Sequence, residues 1–230
     1  MAQTVSRPSL LDHLAHAALL RAMTAQNDAS RPLLLVDATC GNGHDSLFLL
    51  RHAPENALLL CFDVQEAALA ATRARLEAAG LAGQARLFLR GHEALGEVLA
   101  AIALETPERR LACVCFNLGW LPGGDKRLTT RAPQSGQALE AALTALAPQG
   151  VISLHCYTGH DGGQEEADSL TARAAQLPPR RWRVLHTVDA NRAGQSESLL
   201  LLERLPVRHG AEQSPVPLEK NLNAANRQCQ

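Results

Sequence analysis

The chain contains 230 residues, of which 46% are hydrophobic, and its formal net charge at pH 7 is −1. This length suits one domain with a sizeable core, and so small a charge excludes a global electrostatic signature for nucleic acid, so any RNA contact has to be local. The six cysteines form no C-x-x-C pair, which indicates buried thiols in a reducing compartment. No apolar run reaches membrane-spanning length and no signal-peptide pattern opens the chain, so we expect a cytoplasmic protein without membrane contact.

Helix and strand patterns alternate along the chain from residue 9 onward. The first helix follows the start signal Pro8-Ser9, and we expect it to cover an edge of a ligand site. The strands up to residue 157 are nearly continuous apolar runs, as expected when helices cover both faces of a parallel sheet. The predicted buried face of the first helix consists of Leu11, Leu14, Ala18 and Ala22. The predicted helices are 9–24, 46–52, 65–79, 93–105, 134–147 and 163–176, and the predicted strands are 33–36, 57–62, 84–90, 111–116, 151–157, 181–190 and 197–204.

The last two predicted strands differ from the others. The segment 181–190 alternates in polarity and a turn separates it from 197–204, which favours an antiparallel terminal hairpin. Five strand-helix units followed by such a hairpin are the inventory of the class I methyltransferase fold, a Rossmann-like α/β fold with a mostly parallel seven-stranded sheet and helices on both faces. We predict one domain over 1–204, with 9–24 as its N-terminal cap helix, and a mobile tail over 205–230.

The first strand leads through a loop with two glycines, Gly41 and Gly43, into a helix, an arrangement that holds nucleotide-like ligands on backbone N–H groups. A dinucleotide-binding turn would have a third glycine where Ser46 stands. Asp37 at the strand end would repel a pyrophosphate, yet it suits the ammonium and sulfonium of S-adenosyl-L-methionine. Asp63, at the end of the second strand, is placed to bind ribose hydroxyls, as it would also be for NAD. The alternative is an ordinary turn whose glycines only relieve backbone strain.

Polar side chains also follow the third and fourth strands. His92 and Glu93 are placed to meet an adenine edge, or else they simply begin a helix in which Glu93 complements the dipole. Asn117, followed three residues later by Trp120, resembles the Asn-Pro-Pro-aromatic motif of enzymes that methylate amino nitrogens. There the amide accepts the amine hydrogens and the aromatic ring stacks on the base. The alternative role for Trp120 is a loop anchor folded onto the core.

The loops after the fourth and fifth strands carry further candidates. Asp125 could take a proton from, or pair with, an aminomethyl group, and Lys126 could meet phosphates, although charged loops are usually just solvated. Tyr157 could line the acceptor pocket or complete the core, and His160 could act as a base. The spacing of His155 and His160 fits no common metal pattern, so we assign no metal.

The segments 37–46, 117–126 and 157–163 together resemble the "putative rRNA methylase" family, whose characterised members are the MnmM-type tRNA methyltransferases. The resemblance implies methyl transfer from S-adenosyl-L-methionine to the amine of 5-aminomethyl(-2-thio)uridine at wobble position 34, giving the 5-methylaminomethyl product. It implies the anticodon stem-loop of tRNA as partner, and a homodimer is compatible with it. Trp120 stands where the family more usually has a tyrosine.

With this resemblance the candidate site residues fall into three groups. The candidate cofactor-binding residues are Asp37, Thr39, Gly41, Asn42, Gly43, His44, Asp45, Asp63, Val64, Gln65, His92, Glu93 and Asn117. The candidate catalytic residues are Asn117, Trp120 and Asp125, and the candidate substrate-binding residues are Leu118, Gly119, Trp120, Gly123, Gly124, Lys126, Tyr157, His160, Gly162 and Gly163. Three rivals stay open: a methyltransferase acting on rRNA or a small amine, a noncatalytic nucleotide- or RNA-binding module, and a dehydrogenase, which Asp37 and Ser46 disfavour.

Overall fold

A computed structural model of the chain describes residues 9–26, 28, 30–120, 129–191 and 197–206. Its strands are β1 (Leu33–Asp37), β2 (Leu58–Asp63), β3 (Ala85–Leu89), β4 (Arg110–Leu118), β5 (Val151–Tyr157), β6 (Trp182–Thr187) and β7 (Glu197–Arg204). Its α-helices are α1 (Leu10–Ala25), α2 (His44–His52), α3 (Glu66–Ala78), α4 (Leu95–Glu105), α5 (Ala132–Ala145) and α6 (Gly163–Ala175). Short 3₁₀ turns at Ala82–Gln84 and His92–Ala94 precede β3 and α4.

Within these residues seven strands form one sheet in the order β3-β2-β1-β4-β5-β7-β6. Neighbours among β1 to β5 are parallel, and β7 is antiparallel to both β5 and β6. The mostly parallel sheet and the terminal hairpin are therefore confirmed, with β7 rather than β6 beside β5. The strand order changes direction between β1 and β4, and ligands of open α/β sheets bind beyond the carboxyl ends of the strands at such a point.

Helices cover both faces of the sheet. Because side chains alternate along a strand, Leu34 and Val36 of β1 pack on the side of α4, α5 and α6, whereas Leu33 and Leu35 pack on the side of α1, α2 and α3. The strand β3 departs from the predicted buried pattern, since it lies at the sheet edge and its residues are half-buried or exposed. The core therefore lies mainly around the central strands, which keeps their carboxyl ends fixed.

The helix α1 begins with a capping box in which the side chains of Ser9 and Asp12 each accept from the other's backbone N–H. Its predicted buried face is confirmed at Leu11 and Ala22 but wrong at Leu14, which is 40% exposed. Leucine and alanine occur on several sides of this helix, so the periodicity alone left its rotation undetermined. The residues that it buries are Leu11, Ala15, Leu19, Ala22 and Met23.

Among the element boundaries that differ from the sequence prediction, two place polar site residues in regular secondary structure. The strand β4 continues two residues beyond 116, because Asn117 and Leu118 pair with His155 and Cys156 of β5. The helix α2 begins at His44, two residues earlier than predicted, directly after a residue in the left-handed conformation. Both changes bring polar side chains into regular elements, where the backbone fixes them more firmly than a loop would.

Cys40, Cys61, Cys113, Cys115 and Cys156 are buried and free of disulfides, as predicted, whereas Cys229 lies outside the described residues. No described helix combines the length and apolarity needed to cross a membrane. The described residues also contain no group of three or more His, Cys, Asp or Glu side chains suited to a metal ion. Most of the predicted tail, 207–230, lies outside the described residues.

Candidate active site

The loop between β1 and α2 is held in place by α3. Gly41 and Gly43 have φ values of 49° and 74°, in the left-handed region that favours glycine. A Cβ atom at Gly43 would lie 2.8 Å from the Thr72 Cα, so this position also needs glycine for its close approach to α3. The Thr72 hydroxyl donates to the Gly41 carbonyl at 2.9 Å, and Arg75 Nε donates to the Asn42 carbonyl at 2.7 Å. Contacts with α3 therefore fix the shape of the loop.

Asp37 is completely buried beneath this loop. Its carboxylate accepts a hydrogen bond from Ser46 Oγ at 2.6 Å and a longer one from the Thr39 N–H at 3.4 Å. Burial, reinforced by the nearby charge of Asp45, raises the pKa of Asp37 to about 7. Ser46, which replaces the third glycine, engages the Asp37 carboxylate from inside, and the direct contact of Asp37 with a cationic ligand stays a prediction.

Asp45 is the carboxylate at the mouth of the loop, with 23% of its side chain exposed. One carboxylate oxygen accepts from His16 Nε2 and the other from Asn117 Nδ2, both at 2.6 Å. Burial alone would raise the pKa of Asp45, but these hydrogen bonds outweigh it and hold the pKa below its ordinary value. Asp45 therefore carries the negative charge that the sequence had suggested for Asp37.

Asp63 joins the glycine loop to the start of α3. Its two carboxylate oxygens accept from the backbone N–H of Gly41 at 3.0 Å and of Gln65 at 2.9 Å. Burial raises the pKa of Asp63, and the backbone hydrogen bonds partly oppose this shift. The carboxylate is partly exposed beside the exposed Val64, so its predicted contact with ribose is compatible with the fold and stays a prediction.

The tips of β4 and β5 bring the candidate acceptor residues together. The Asn117 N–H donates to Thr39 Oγ1 at 2.7 Å, which ties the tip of β4 to the first loop. Gly119 allows Tyr157 to pack closely, since a Cβ atom at this glycine would lie 3.1 Å from the Tyr157 Cβ. The rings of Trp120 and His160 are nearly perpendicular, with a centroid distance of 5.5 Å. Asn117, Gly119, Trp120, Tyr157 and His160 therefore form one wall beside the glycine loop, called the acceptor wall below.

The other predicted substrate-binding residues are placed in different ways. The side chain of Leu118 is fully buried in the core, so any contact of Leu118 with a substrate would involve its main chain, and this contact stays a prediction. Gly162, with φ 78°, precedes α6, and a Cβ atom there would lie 2.7 Å from Arg131 Nη1. Gly163 packs closely against the ring of His160. The predicted residues Gly123, Gly124, Asp125 and Lys126 lie outside the described part of the chain.

A second polar network, absent from the sequence prediction, lies beneath the acceptor wall. Glu166 is buried, and its carboxylate accepts from the hydroxyls of Ser135 at 2.5 Å and Thr130 at 2.6 Å. His92 Nε2 lies 3.0 Å from the same Ser135 hydroxyl, and burial lowers the pKa of His92. The network joins His92, predicted to lie on the cofactor side, to Thr130, whose N–H donates to the Gly119 carbonyl. These partners are far apart in sequence, so no local spacing revealed them.

Two histidines near the first loop have unequal positions. His44 is exposed, and its Nε2 lies 3.3 Å from Arg75 Nη2 of α3. Partial burial of the imidazole, and then the charge of Arg75, lower the pKa of His44. His16 binds Asp45 and stacks on Phe48 with a centroid distance of 3.8 Å. The cap helix therefore reaches the site through His16, as its predicted cover of a ligand-site edge requires.

The strand order, the glycine loop and the polar strand tips define a protein with the class I methyltransferase fold. The model of the family described as "Putative rRNA methylase" matches residues 59–203. The chain belongs to this family, which confirms the resemblance seen in its motifs.

Similar proteins agree with this placement. The chain is 35% identical over 156 residues to a chloroplastic tRNA (mnm(5)s(2)U34)-methyltransferase from Arabidopsis thaliana, covering 64% of the chain and 55% of the relative. The chain thus spans about half the length of that relative. A crystal structure of a "putative rRNA-methylase" from Clostridium thermocellum has a TM-score of 0.73 at 27% identity, covering 87% of this chain and 100% of the other. A "putative methyltransferase" from Streptococcus mutans in complex with SAH gives 0.71 at 25% identity, covering 86% and 100%.

Proposed function

We propose that the protein is an S-adenosyl-L-methionine-dependent N-methyltransferase that converts 5-aminomethyl(-2-thio)uridine at tRNA position 34 to its 5-methylaminomethyl form. The observation that carries the proposal is the fixed amide of Asn117, whose NH₂ group donates to Asp45 and whose oxygen is thereby turned away from that carboxylate. Such an oxygen can accept the N–H of an amine. The name of the Arabidopsis thaliana relative supports this substrate, and the SAH in the Streptococcus mutans structure supports this cofactor.

The residues around the glycine loop fit S-adenosyl-L-methionine. The start of α2 presents backbone N–H groups without acceptors in the helix, which suits a carboxylate. Asp45 offers a partly exposed negative charge for an ammonium, and Asp63 offers carboxylate oxygens for ribose hydroxyls. The cofactor supplies a methyl group on an electrophilic sulfonium, so the chain has to orient the acceptor and needs no strong base.

On the acceptor side, the Asn117 oxygen would accept a hydrogen from the neutral amine and so direct its lone pair. Trp120 would stack on the uracil ring, an interaction worth roughly 1–3 kcal/mol per base. Roles for Asp125 and Lys126 stay predictions, as do the anticodon stem-loop contacts, a homodimer and a cytoplasmic location. Arg131, which binds the exposed Asp161 next to this wall, is a candidate for a phosphate contact.

The test is incubation of the protein with S-adenosyl-L-methionine and bulk tRNA from a strain lacking the final methylation, followed by nucleoside mass spectrometry. Asn117→Ala should lower kcat by about 10²-fold or more with little change in cofactor affinity, because its contact serves the acceptor. Asp63→Ala should weaken cofactor binding about 10–100-fold, the loss expected for hydrogen bonds to a charged group, with a smaller effect on kcat at saturation. Equal losses of cofactor affinity in both variants would refute this division of roles.

The family description favours one second substrate, ribosomal RNA. The same assay with ribosomal RNA from the same strain distinguishes the two substrates. The proposed function predicts 5-methylaminomethyluridine in tRNA and no methylation of the ribosomal RNA. A noncatalytic binding module would transfer no methyl group to either pool.

A further inference from the structure

Three polar side chains are linked by hydrogen bonds from the cap helix α1 to the tip of β4. His16 Nε2 of α1 lies 2.6 Å from one oxygen of Asp45, and Asn117 Nδ2 lies 2.6 Å from the other. The His16 ring is held in plane by Phe48, with an interplanar angle of 8°. Both His16 and Asp45 are about three-quarters shielded from solvent, so water competes only weakly for these hydrogen bonds.

The chemistry of the groups fixes the direction of each hydrogen bond. An ionised carboxylate can only accept, so both His16 and Asn117 must present an N–H to Asp45. A flipped Asn117 amide would place its oxygen against the carboxylate and lose the bond. The hydrogen bond to Asp45 therefore fixes the NH₂ group toward the carboxylate and leaves the amide oxygen pointing away from it.

His16 in turn decides where the Asp45 carboxylate points. Since one oxygen is bound by His16 and the other by Asn117, rotation of the carboxylate would break both bonds. Without His16, the Asp45 carboxylate is bound by Asn117 and no longer by His16, so it can turn toward solvent. The amide of Asn117 then loses the constraint that orients it.

We propose that His16 is a positioning residue, which acts through Asp45 to hold the Asn117 amide with its oxygen toward the acceptor amine. This inference rests on the proposed function, because it assigns the same amide a task in methyl transfer. Loss of the His16 hydrogen bond should lower kcat about 10–100-fold, the effect expected for one hydrogen bond to a charged group. The KM for tRNA should change little, since the hydrogen bond and the ring contact of His16 in the described residues are with Asp45 and Phe48 and not with the acceptor wall.

Two substitutions separate the hydrogen bond of His16 from its packing. His16→Gln can keep an N–H near the Nε2 position but loses the aromatic stack on Phe48, whereas His16→Phe keeps the stack and loses the hydrogen bond. His13→Gln and His13→Phe are matched controls, because His13 is exposed on the same helix and its ring Nδ1 lies 2.8 Å from the Ser9 carbonyl, away from Asp45. His16→Phe should show the kcat loss, His16→Gln should restore most of it, and both controls should match the wild type.

A second readout does not depend on activity. In ¹⁵N-labelled protein, the side-chain amide resonance of Asn117, assigned by its disappearance in Asn117→Ala, should shift in His16→Phe and stay near its wild-type position in His16→Gln. If His16→Phe does not fold, His16→Ala takes its place in both measurements. An unchanged resonance in His16→Phe, or equal kcat losses in the Gln and Phe variants, would overturn the inference. If the wild type methylates no tRNA, the proposed function fails, while the resonance still decides whether His16 holds the amide.

Discussion

Gly43 offers the sharpest test of how the first loop is built. In Gly43→Ala the new side chain would have to adopt φ 74°, at a cost of about 1–2 kcal/mol for a residue other than glycine. Its Cβ atom would also lie 2.8 Å from the Thr72 Cα and 2.9 Å from the Thr72 Oγ1, and overpacking of this kind costs about 1–3 kcal/mol. We therefore expect a loss of about 2–5 kcal/mol in the free energy of unfolding, together with weaker cofactor binding.

Gly80 provides a matched control for this substitution. Its φ of 73° is nearly the same, but no atom lies within 4 Å of a Cβ built there. Gly80→Ala should therefore lose only about 1–2 kcal/mol, the backbone term, and should bind the cofactor normally. Urea denaturation followed by circular dichroism measures both losses, and isothermal titration calorimetry measures the binding. If the two variants lose the same free energy, the close approach of the loop to α3 has no energetic weight and the reasoning is wrong.

Three further predictions concern buried groups. Because the folded-state pKa of Asp37 is raised from 3.8 to about 7, its protonated form stabilises the fold at low pH, and this stability is lost as pH rises from 3.8 to about 7. Asp37→Asn should reduce this fall of the unfolding free energy with pH, as measured by urea denaturation. A pH profile equal to that of the wild type would contradict the prediction. Glu166→Ala should cost about 2–4 kcal/mol, since the buried hydroxyl of Ser135 and the half-buried hydroxyl of Thr130 lose their acceptor. Glu166→Gln, which keeps an oxygen, should lose less, and equal losses in urea denaturation would argue against the network. The five buried cysteines should resist a thiol reagent until urea unfolds the chain, because burial raises their pKa values. Rapid labelling of any of these five in the native protein, with the labelled positions identified by peptide mass spectrometry, would contradict their burial.

Most of the fold could be predicted from the sequence because its signals are local. Continuous apolar runs mark buried parallel strands, and the alternation in 181–190 marks the terminal hairpin. The position of β7 between β5 and β6 could not be predicted, since it depends on pairing between residues such as Leu154 and Leu200 that are distant in sequence. The face of α1 was likewise ambiguous at Leu14, because a helix rich in leucine and alanine carries little periodic contrast.

For the site, the spacing of the residues predicted the loop and the strand tips, but it did not predict which side chains hydrogen-bond to one another there. Gly43 and Asp63 are predicted as site residues because each comes after an apolar run. In the fold, Gly43 packs against α3 and Asp63 accepts a hydrogen bond from the glycine loop. Ser46 is different: the sequence shows only that it replaces a glycine, whereas the fold turns its hydroxyl inward to Asp37. The Glu166 network had no sequence signal at all, because a glutamate in the first turn of a helix is ordinary.

Two carboxylates eight residues apart illustrate the limit of such inference. Asp37 lies at the end of a strand and Asp45 in the first turn of the next helix, so the sequence places both at the mouth of the same loop. Burial then separates their chemistry, because it raises the pKa of Asp37, while hydrogen bonds from His16 and Asn117 lower that of Asp45. A buried group that tends toward neutrality cannot serve a cation as well as an ionised group with exposed surface. We therefore predict that the last acid of the motif, and not the first, faces the cation, so that Asp45→Asn should weaken cofactor binding more than Asp37→Asn in calorimetry.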